Sequence, residues 1–153
     1  MLMETCLALA MCFEARSEPV VGQLAVAQVV LNRVVDARHP GNICDVVMEG
    51  PVHPSGHPVK HRCQFSFWCD GKPERIMDQE AWQTAMVIAS VLTDPECLHI
   101  DVTEGATFYH ATNVSPRWRY TMKMTVQIGG HIFYTPDNII SLAHVKKFTE
   151  FRK

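Results

Sequence analysis

Glu14-Ala-Arg-Ser-Glu18, followed directly by Pro19-Val-Val-Gly-Gln23, is the stretch that decides the fold of this chain. It ends one predicted helix and begins the next, because proline suits the first turn of a helix and interrupts a helix further along. The carboxylate that opens this stretch also ends an apolar stripe at helical spacing. The stripe consists of Leu7, Ala10, Met11 and Glu14.

Glu14 is therefore expected in apolar surroundings at the end of the first helix. A glutamate there is costly to ionise, so we expect its pKa to rise and its carboxyl to keep a proton near neutral pH. That is the profile of a general acid. The alternative is that Glu14 caps the break between the helices or pairs with Arg16 or Arg33, since structural ion pairs also perturb carboxylates.

The second predicted helix carries an apolar stripe and ends near Asn32-Arg33. The stripe consists of Val20, Leu24, Ala27, Leu31 and Val34. Gly22 lies inside this helix, where glycine costs about 1 kcal/mol relative to alanine. It indicates either a close approach to a neighbour or a ligand, or simple packing between helices.

Length and composition indicate one domain over residues 1–153. The chain is 47% hydrophobic, and its formal net charge of −2 argues against nucleic-acid binding driven by bulk charge. No apolar run approaches the roughly 20 residues of a membrane span, so we expect no stable membrane insertion. We expect a monomer.

Six cysteines are many for this length, and their spacing is not that of a zinc site. Cys63 and Cys69 bracket a short segment, and a disulfide between them requires an oxidising compartment. Cys6 and Cys12 on the first helix are interpreted as buried free thiols, because cysteine often acts as a small hydrophobe.

A long irregular connection spans residues 36–62, with one short helix predicted at residues 42–48. Three of its histidines, His53, His57 and His61, recur every four residues, as metal ligands on a helix do. The prolines and the glycine between them interrupt any helix that would align the three imidazoles. We therefore favour a solvated loop over a zinc site.

After this loop the chain changes from helical to strand periodicity. A third helix is predicted over residues 74–93, with Asp78 as its N-cap. The buried stripe of that helix consists of Trp82, Ala85, Met86 and Ala89.

A short strand at residues 106–111 precedes a hairpin signal, in which residues 120–128 and 131–135 flank Gly129-Gly130. A basic amphipathic helix is predicted over residues 139–151. Helices first and a small antiparallel sheet later make the predicted fold class α+β.

Two clusters combine aromatic rings with polar groups. They are Cys63-Gln-Phe-Ser-Phe-Trp-Cys69, and Gly105-Ala-Thr-Phe-Tyr-His110 with Trp118 beyond it. Sugars have flat CH faces and hydroxyl-rich edges, so a groove for them needs both kinds of group. The alternative for each ring is core packing. An RNA-stacking surface at Arg117-Trp-Arg-Tyr120 lacks the wider basic field that RNA binding requires.

Taken in order, these motifs resemble those of the cell-wall hydrolases of the spore-cortex-lytic (SleB) type, which also occur in phages as endolysins. Each motif alone is weak, but their order and spacing are specific and cover nearly the whole chain. The matching stretches are Glu-Ala-Arg-Ser-Glu-Pro-x-x-Gly-Gln at 14–23, Leu-Asn-Arg at 31–33, Cys-Gln-Phe-Ser-Phe at 63–67, Cys-Asp-Gly at 69–71, Gly-Ala-Thr-Phe-Tyr-His at 105–110, Pro-x-Trp at 116–118 and Ile-Gly-Gly-His-x-Phe-Tyr at 128–134.

The resemblance implies a peptidoglycan-cleaving domain with a fold distantly like lysozymes and lytic transglycosylases. The catalytic residue of the family is the first glutamate of its Glu-Ala-Arg-Gly-Glu motif, which corresponds to Glu14. Two positions depart from the family pattern. Ser17 stands where the family usually has glycine, and Phe108 stands where a histidine is common, in Thr-His-Tyr-His.

The reaction implied is cleavage of the β-1,4 bond between N-acetylmuramic acid and N-acetylglucosamine, with no metal or other cofactor. Protonated Glu14 donates to the glycosidic oxygen, and its carboxylate then deprotonates the C6 hydroxyl, which closes a 1,6-anhydro ring. The alternative is a hydrolytic muramidase, which needs a second carboxylate roughly 5–9.5 Å away. Glu18 and Asp70 are the candidates for it.

Seven further residues are expected to bind the glycan strand. Gln64, Ser66, Tyr109 and His110 are assigned to sugar hydroxyls and N-acetyl groups, and Phe67, Trp68 and Trp118 are assigned to stacking. Two other classes stay open: a wall-binding or virion module without turnover, and a zinc-dependent amidase that uses the histidine loop.

The N-terminus, Met1-Leu-Met-Glu-Thr5, lacks the basic region of a secretory signal. Together with the resemblance, this leads us to expect a phage lysin made in the cytoplasm. It would act on the cell wall, in the periplasm, after release through a holin-type pore. A bacterial protein cut from a longer precursor would look the same.

Overall fold

The computed structural model of the protein describes residues 1–136 and the backbone of residues 145–147. Its helices are α1 (Met3–Ala15), α2 (Val20–Val35), α3 (Ile43–Val47) and α4 (Gln79–Thr93), and two short 3-10 helices span Ser66–Cys69 and Arg117–Thr121. The strands are β1 (Leu98–Ile100), β2 (Phe108–Ala111), β3 (Lys123–Ile128), β4 (His131–Thr135) and β5 (Val145–Lys147).

Helix α1 is the central helix of the N-terminal part and packs against α2, α3 and α4. The five consecutive residues from Leu7 to Met11 are all buried. A helix that is buried on all sides needs neighbours on all sides. The three other helices supply them, and Glu14 lies beyond this buried stretch, near the end of α1.

The break between α1 and α2 lies where the sequence predicts it. Pro19 has an extended backbone directly before α2 begins at Val20. A Cβ atom on Gly22 would come within 3.0 Å of the Glu18 Cβ atom. The expected close approach at this glycine is therefore made by Glu18, which folds back against the first turn of α2.

Side-chain caps determine where two other helices begin. Asn42 accepts a hydrogen bond from the Asp45 backbone N–H at 2.9 Å, which starts α3. Asp78 caps α4 in the same way, through the Ala81 backbone N–H at 3.0 Å. The prediction that this helix begins at residue 74 is wrong, because the cap starts it at Gln79.

The sheet has three antiparallel strands in the order β2-β4-β3. The predicted hairpin around Gly129-Gly130 is confirmed, although β3 begins at Lys123 because the preceding residues form a 3-10 helix. The fully buried ring of Phe133 anchors the sheet against Ala25 and Val29 of α2. Helices first and a small antiparallel sheet later confirm the α+β class.

A second, two-stranded pairing joins β1 to β5, and the sequence did not indicate either strand. The helix predicted over residues 139–151 is wrong at Val145–Lys147, whose backbone is extended and paired with β1. The remaining residues of that predicted helix lie outside the described part of the chain.

Two disulfides cross-link the helical part. Cys6 of α1 is bonded to Cys44 of α3, with Cα atoms 5.3 Å apart, so its interpretation as a free thiol is wrong. Docking of α3 on α1 brings the two sulfurs together. Cys63 and Cys69 form the second disulfide, with Cα atoms 6.0 Å apart. Cys12 is a free, half-buried thiol.

The histidine-rich loop closes on itself without forming a helix. Val52 pairs with Pro58, and the His53 backbone N–H donates to the His57 carbonyl at 2.8 Å. His53, His57 and His61 are exposed. Among residues 1–136 and 145–147, no group of three or more His, Cys, Asp and Glu side chains is arranged to hold a metal ion. No helix of the described residues is long and apolar enough to cross a membrane.

Candidate active site

Glu14 lies in the last turn of α1, half-buried beside the sheet. The hydroxyl of Tyr109 on β2 donates to its Oε2 atom at 3.0 Å. Loss of solvent raises the pKa of Glu14, and this effect outweighs the lowering by the Tyr109 hydrogen bond and by the charge of Arg33. The pKa therefore moves in the direction expected from sequence. No ion pair joins Glu14 to Arg16 or Arg33 within the described part of the chain.

Glu14 opens into a groove of about 530 Å³ between the end of α1 and the sheet. Aromatic rings and charged or polar side chains line the groove in similar numbers. Besides Glu14, its main lining residues are Arg33, Gln64, Phe108, Tyr109, His110 and Trp118. This composition of rings and polar groups suits a ligand with flat apolar faces and hydrogen-bonding edges.

Buried polar side chains of α2 hold Tyr109 in register with Glu14. The Asn32 amide donates to the Ala106 carbonyl and to Asp101, each at 2.9 Å. The Arg33 Nε–H donates to the Thr107 carbonyl at 2.7 Å. These bonds anchor the segment that leads into β2 to the helix. The Leu-Asn-Arg motif thus has a physical role, because it fixes the approach of β2 to the end of α1.

Arg33 is a buried cation, and aromatic rings cover it. Its guanidinium carbon lies 5.1 Å from the Phe108 ring centroid and 5.7 Å from that of Phe65. Burial lowers the pKa of Arg33, but a guanidinium stays charged in proteins. Phe108, one of the two positions that depart from the family pattern, therefore covers the buried charge of Arg33.

The far wall of the groove is an aromatic cluster around Trp118. The Trp118 ring meets those of Phe108, His110 and Tyr134 at centroid distances of 5.4, 5.6 and 5.4 Å. The Ala111 carbonyl lies 2.7 Å from His110 Nδ1, and a carbonyl only accepts, so Nδ1 carries a proton. In the neutral ring, Nε2 then accepts from the Tyr134 hydroxyl at 2.9 Å. Both imidazole nitrogens of His110 are occupied within the wall.

The groove brings together four of the seven residues predicted to bind sugar: Gln64, Tyr109, His110 and Trp118. The structure does not bring the other three to it. Phe67 is buried and stacks on Phe13 at 4.8 Å, Trp68 packs against the helical core, and Ser66 is exposed on the neighbouring 3-10 helix. That 3-10 helix, closed by the Cys63–Cys69 disulfide, turns Phe67 inward. The alternative of core packing therefore holds for the rings of Phe67 and Trp68.

Glu18 has a structural role that the sequence did not indicate. Its carboxylate accepts the Gly130 backbone N–H at 3.0 and 3.2 Å, and it lies 3.9 Å from His131 Nδ1. A Cβ atom at Gly129 or Gly130 would collide with this carboxylate. Glu18 therefore ties the break between α1 and α2 to the hairpin turn. His131 next to that turn meets the Tyr109 ring edge-on at 5.1 Å.

The two candidates for a second catalytic carboxylate are both engaged elsewhere. Glu18 is bound to the hairpin turn, and the Asp70 side chain accepts the Lys72 backbone N–H at 2.8 Å. Among the described residues that line the aromatic groove, Glu14 is the only carboxylate. The groove thus has one acid and a large aromatic surface.

A shielded acid at a helix end, facing a small antiparallel sheet across an aromatic groove, defines a lysozyme-like α+β domain. Comparison with known proteins gives the same class of protein. A family model described as cell wall hydrolase matches residues 17–134, and Glu14 lies just before this range. The chain belongs to the cell wall hydrolase family, which confirms the SleB-type resemblance.

Two solved structures and two relatives illustrate the similarity. The catalytic domain of the germination-specific lytic transglycosylase SleB from Bacillus anthracis is 27% identical, with a TM-score of 0.63 over 87% of this chain and 93% of that one. The catalytic domain of the Bacillus cereus SleB protein is also 27% identical, with a TM-score of 0.61 over 87% of this chain and 89% of that one.

Spore cortex-lytic enzymes of Halalkalibacterium halodurans and Bacillus cereus are 32% and 30% identical over 121 residues, or 78% of this chain. The matched region is only 31% and 39% of the length of those two proteins.

Proposed function

We propose that this domain is a lytic transglycosylase that cleaves the β-1,4 bond between N-acetylmuramic acid and N-acetylglucosamine in peptidoglycan. The observation that carries the proposal is Glu14, a desolvated carboxyl with a raised pKa inside an aromatic groove. The family and the similar lytic transglycosylase domain support the same reaction class.

The first step is proton donation by Glu14 to the glycosidic oxygen. Tyr109 donates to Oε2, so Oε1 is the oxygen that carries the acidic proton. As the bond breaks, the sugar develops oxocarbenium character and Glu14 becomes a carboxylate. The Tyr109 hydroxyl and the nearby charge of Arg33 then stabilise the new anion, since both favour the ionised form.

In the second step the Glu14 carboxylate removes the proton of the C6 hydroxyl of the same muramic acid. That oxygen attacks C1 and closes the 1,6-anhydro ring, which returns Glu14 to its protonated form. The nucleophile is tethered to the sugar, so its effective concentration is high and neither a water nor a second carboxylate is needed. This matches a groove whose described lining includes one carboxylate.

The compartment proposed for this reaction is the cell wall. Two disulfides, Cys6–Cys44 and Cys63–Cys69, favour an oxidising environment. The proposed substrate lies in such an environment.

Mass spectrometry of peptidoglycan digested by the purified protein tests the proposal. We expect muropeptides that end in 1,6-anhydro-muramic acid. Reducing ends carrying an added water would instead identify a hydrolytic muramidase. Binding to sacculi without release of soluble fragments would identify a wall-binding module, and loss of activity in a chelator would identify a metal-dependent amidase.

The matched control for this digestion is Glu14→Gln, which keeps the size of the side chain and removes its acidic proton. We expect turnover to fall by roughly 10²–10⁴, the usual share of general acid–base catalysis. Circular dichroism should show an unchanged fold. Wild-type lysis rates in this variant would exclude Glu14 as the acid.

A further inference from the structure

Glu14 lines two cavities. Besides the aromatic groove, a cavity of about 340 Å³ opens between the end of α1 and the segment that precedes α4. We call it the arginine cavity, because Arg16 and Arg75 line it together with Glu14, Ser17, Ile76 and Asp78. Glu14 is the residue that both linings share, so a ligand bound at Glu14 is next to both cavities.

The charges of the arginine cavity are unbalanced in favour of cations. Neither Arg16 nor Arg75 has a carboxylate within ion-pair distance among the residues that the structure describes. Asp78 also lines the cavity, but one of its oxygens caps α4 through the Ala81 N–H at 3.0 Å. Glu14 is uncharged while it holds its proton. Two free guanidinium groups thus face one engaged carboxylate.

An unpaired guanidinium presents several N–H donors in one plane, and their spacing matches the two oxygens of a carboxylate. The N-acetylated sugars of a glycan strand carry no charge, whereas the peptide stem on muramic acid ends in free carboxylates. We propose that the arginine cavity binds a stem carboxylate of the muramic acid next to the bond that is cleaved. This inference rests on the proposed function and specifies its substrate as strands that still carry peptide stems.

The apolar part of the cavity is consistent with a stem as well. Phe13, Ile76 and Met77 line it beside the arginines. A stem contains alanine residues next to its charged residues, so its methyl groups can contact these side chains while its carboxylates meet the guanidinium groups.

The test compares two preparations of the same glycan strands: one with native stems, and one whose stem carboxylates have been converted to uncharged amides with a carbodiimide and ammonia. We expect wild-type protein to show a KM for strands with native stems roughly tenfold lower than for strands with amidated stems, as two exposed ion pairs would produce. The double variant Arg16→Gln, Arg75→Gln should lose this preference, because its KM for strands with native stems rises. The kcat should change little, since neither arginine touches the reacting atoms.

The matched control is Arg62→Gln, which removes an exposed arginine that lines neither cavity. It should keep the wild-type preference. Equal KM values for the two strand types with wild-type protein, or a double variant that keeps the preference, would overturn the inference and leave the proposed function intact.

Failure of the proposed function gives a different result from failure of this inference. In that case, wild-type protein releases anhydro products from neither preparation. Equilibrium binding of both preparations to the Glu14→Gln protein still tests the inference in that case. Tighter binding of strands with native stems that disappears in the triple variant Glu14→Gln, Arg16→Gln, Arg75→Gln supports the arginine cavity, and equal binding of the two preparations overturns it.

Discussion

At the scale of single residues, the proton affinity of Glu14 is set by opposing surroundings. Burial at the end of α1 favours the neutral acid, while the Tyr109 hydroxyl and the Arg33 charge favour the carboxylate. An acid–base catalyst must visit both forms in one turnover, so a site that favours one form overwhelmingly would fail at one of the two steps. The described residues around Glu14 supply both influences.

The first prediction at this scale concerns stability. The pKa of Glu14 is higher in the folded protein than its ordinary value of 4.5, so its ionisation opposes folding. Its stabilising contribution is complete below pH 4.5 and is lost as the pH rises through the folded-state pKa. We therefore expect Glu14→Gln to have a higher Tm than wild-type protein at pH 8 and a similar Tm at pH 4. Thermal unfolding across this range measures the difference, and a destabilised variant at pH 8 would contradict it.

The second prediction concerns Tyr109→Phe, which removes the O–H donor to Glu14 and keeps the ring. Loss of a donor to the carboxylate raises the pKa of Glu14, so the alkaline limb of kcat/KM should move to higher pH. The rate should fall roughly 10- to 100-fold, because one hydrogen bond to the developing charge is lost.

Tyr120→Phe is the control for this change, since it removes the hydroxyl of an exposed tyrosine. It should leave both the rate and the pH profile unaltered. An alkaline limb of Tyr109→Phe that stays in place or moves to lower pH would show that the hydroxyl does not act on Glu14.

At the scale of elements, the site depends on a connection between the α1–α2 break and the β3–β4 turn. Glu18 makes it through the Gly130 backbone N–H, and both turn glycines leave room for the carboxylate. Gly129 also has a φ of +55°, which glycine adopts at little cost. Glycines are therefore required in this turn both for the hairpin geometry and for the contact with Glu18 in the α1–α2 break.

The prediction at this scale separates a structural Glu18 from a catalytic one. Glu18→Ala leaves the Gly130 N–H without its acceptor and should lower the free energy of unfolding by about 1–3 kcal/mol. Glu18→Gln keeps an oxygen acceptor, so it should retain most of the activity that Glu14→Gln loses. Chemical denaturation and sacculus lysis measure the two effects. A loss in Glu18→Gln as large as in Glu14→Gln would make Glu18 a second catalytic carboxylate.

A double-mutant cycle provides the control for the contact itself. Gly130→Ala should destabilise wild-type protein, because the new Cβ atom meets the Glu18 carboxylate. It should cost clearly less in the Glu18→Ala background, where that carboxylate is absent. Additive effects would mean that the two residues act independently.

At the scale of the whole molecule, a disulfide holds the short helix α3 against the central helix α1. The Cys6–Cys44 bond closes a segment that spans 38 positions in sequence. A five-residue helix has little stability of its own, so α3 depends on this link and on packing.

We predict that the double variant Cys6→Ala, Cys44→Ala loses about 2–4 kcal/mol of unfolding free energy, because the unfolded chain gains conformational freedom. Denaturant unfolding with and without a reductant measures it. Cys97→Ala, which removes a free thiol, is the control and should match wild-type protein. Equal stability of the double variant and wild-type protein would show that this bond does not support the fold.

Residues close together in sequence account for most of what could be predicted of the fold. The end of α1, the start of α2, the cap at Asp78 and the turn at Gly129-Gly130 each depend on local geometry. Local patterns do not show pairings between distant segments. The amphipathic pattern around Val145–Lys147 predicts a helix, but the backbone there pairs with β1. Local propensity is a weak constraint once a tertiary partner is present.

For the site, the sequence by itself determined that an acid ends the apolar stripe of α1, and periodicity is sufficient to show this. Only the tertiary structure decided which groups meet it. Tyr109 is 95 positions from Glu14, and Gly130 is 112 positions from Glu18. Contacts over such separations depend on how α2 and the sheet pack, and no local pattern encodes that. For the same reason, the sequence does not distinguish Phe67, whose ring packs in the core, from Trp118, whose ring lines the groove.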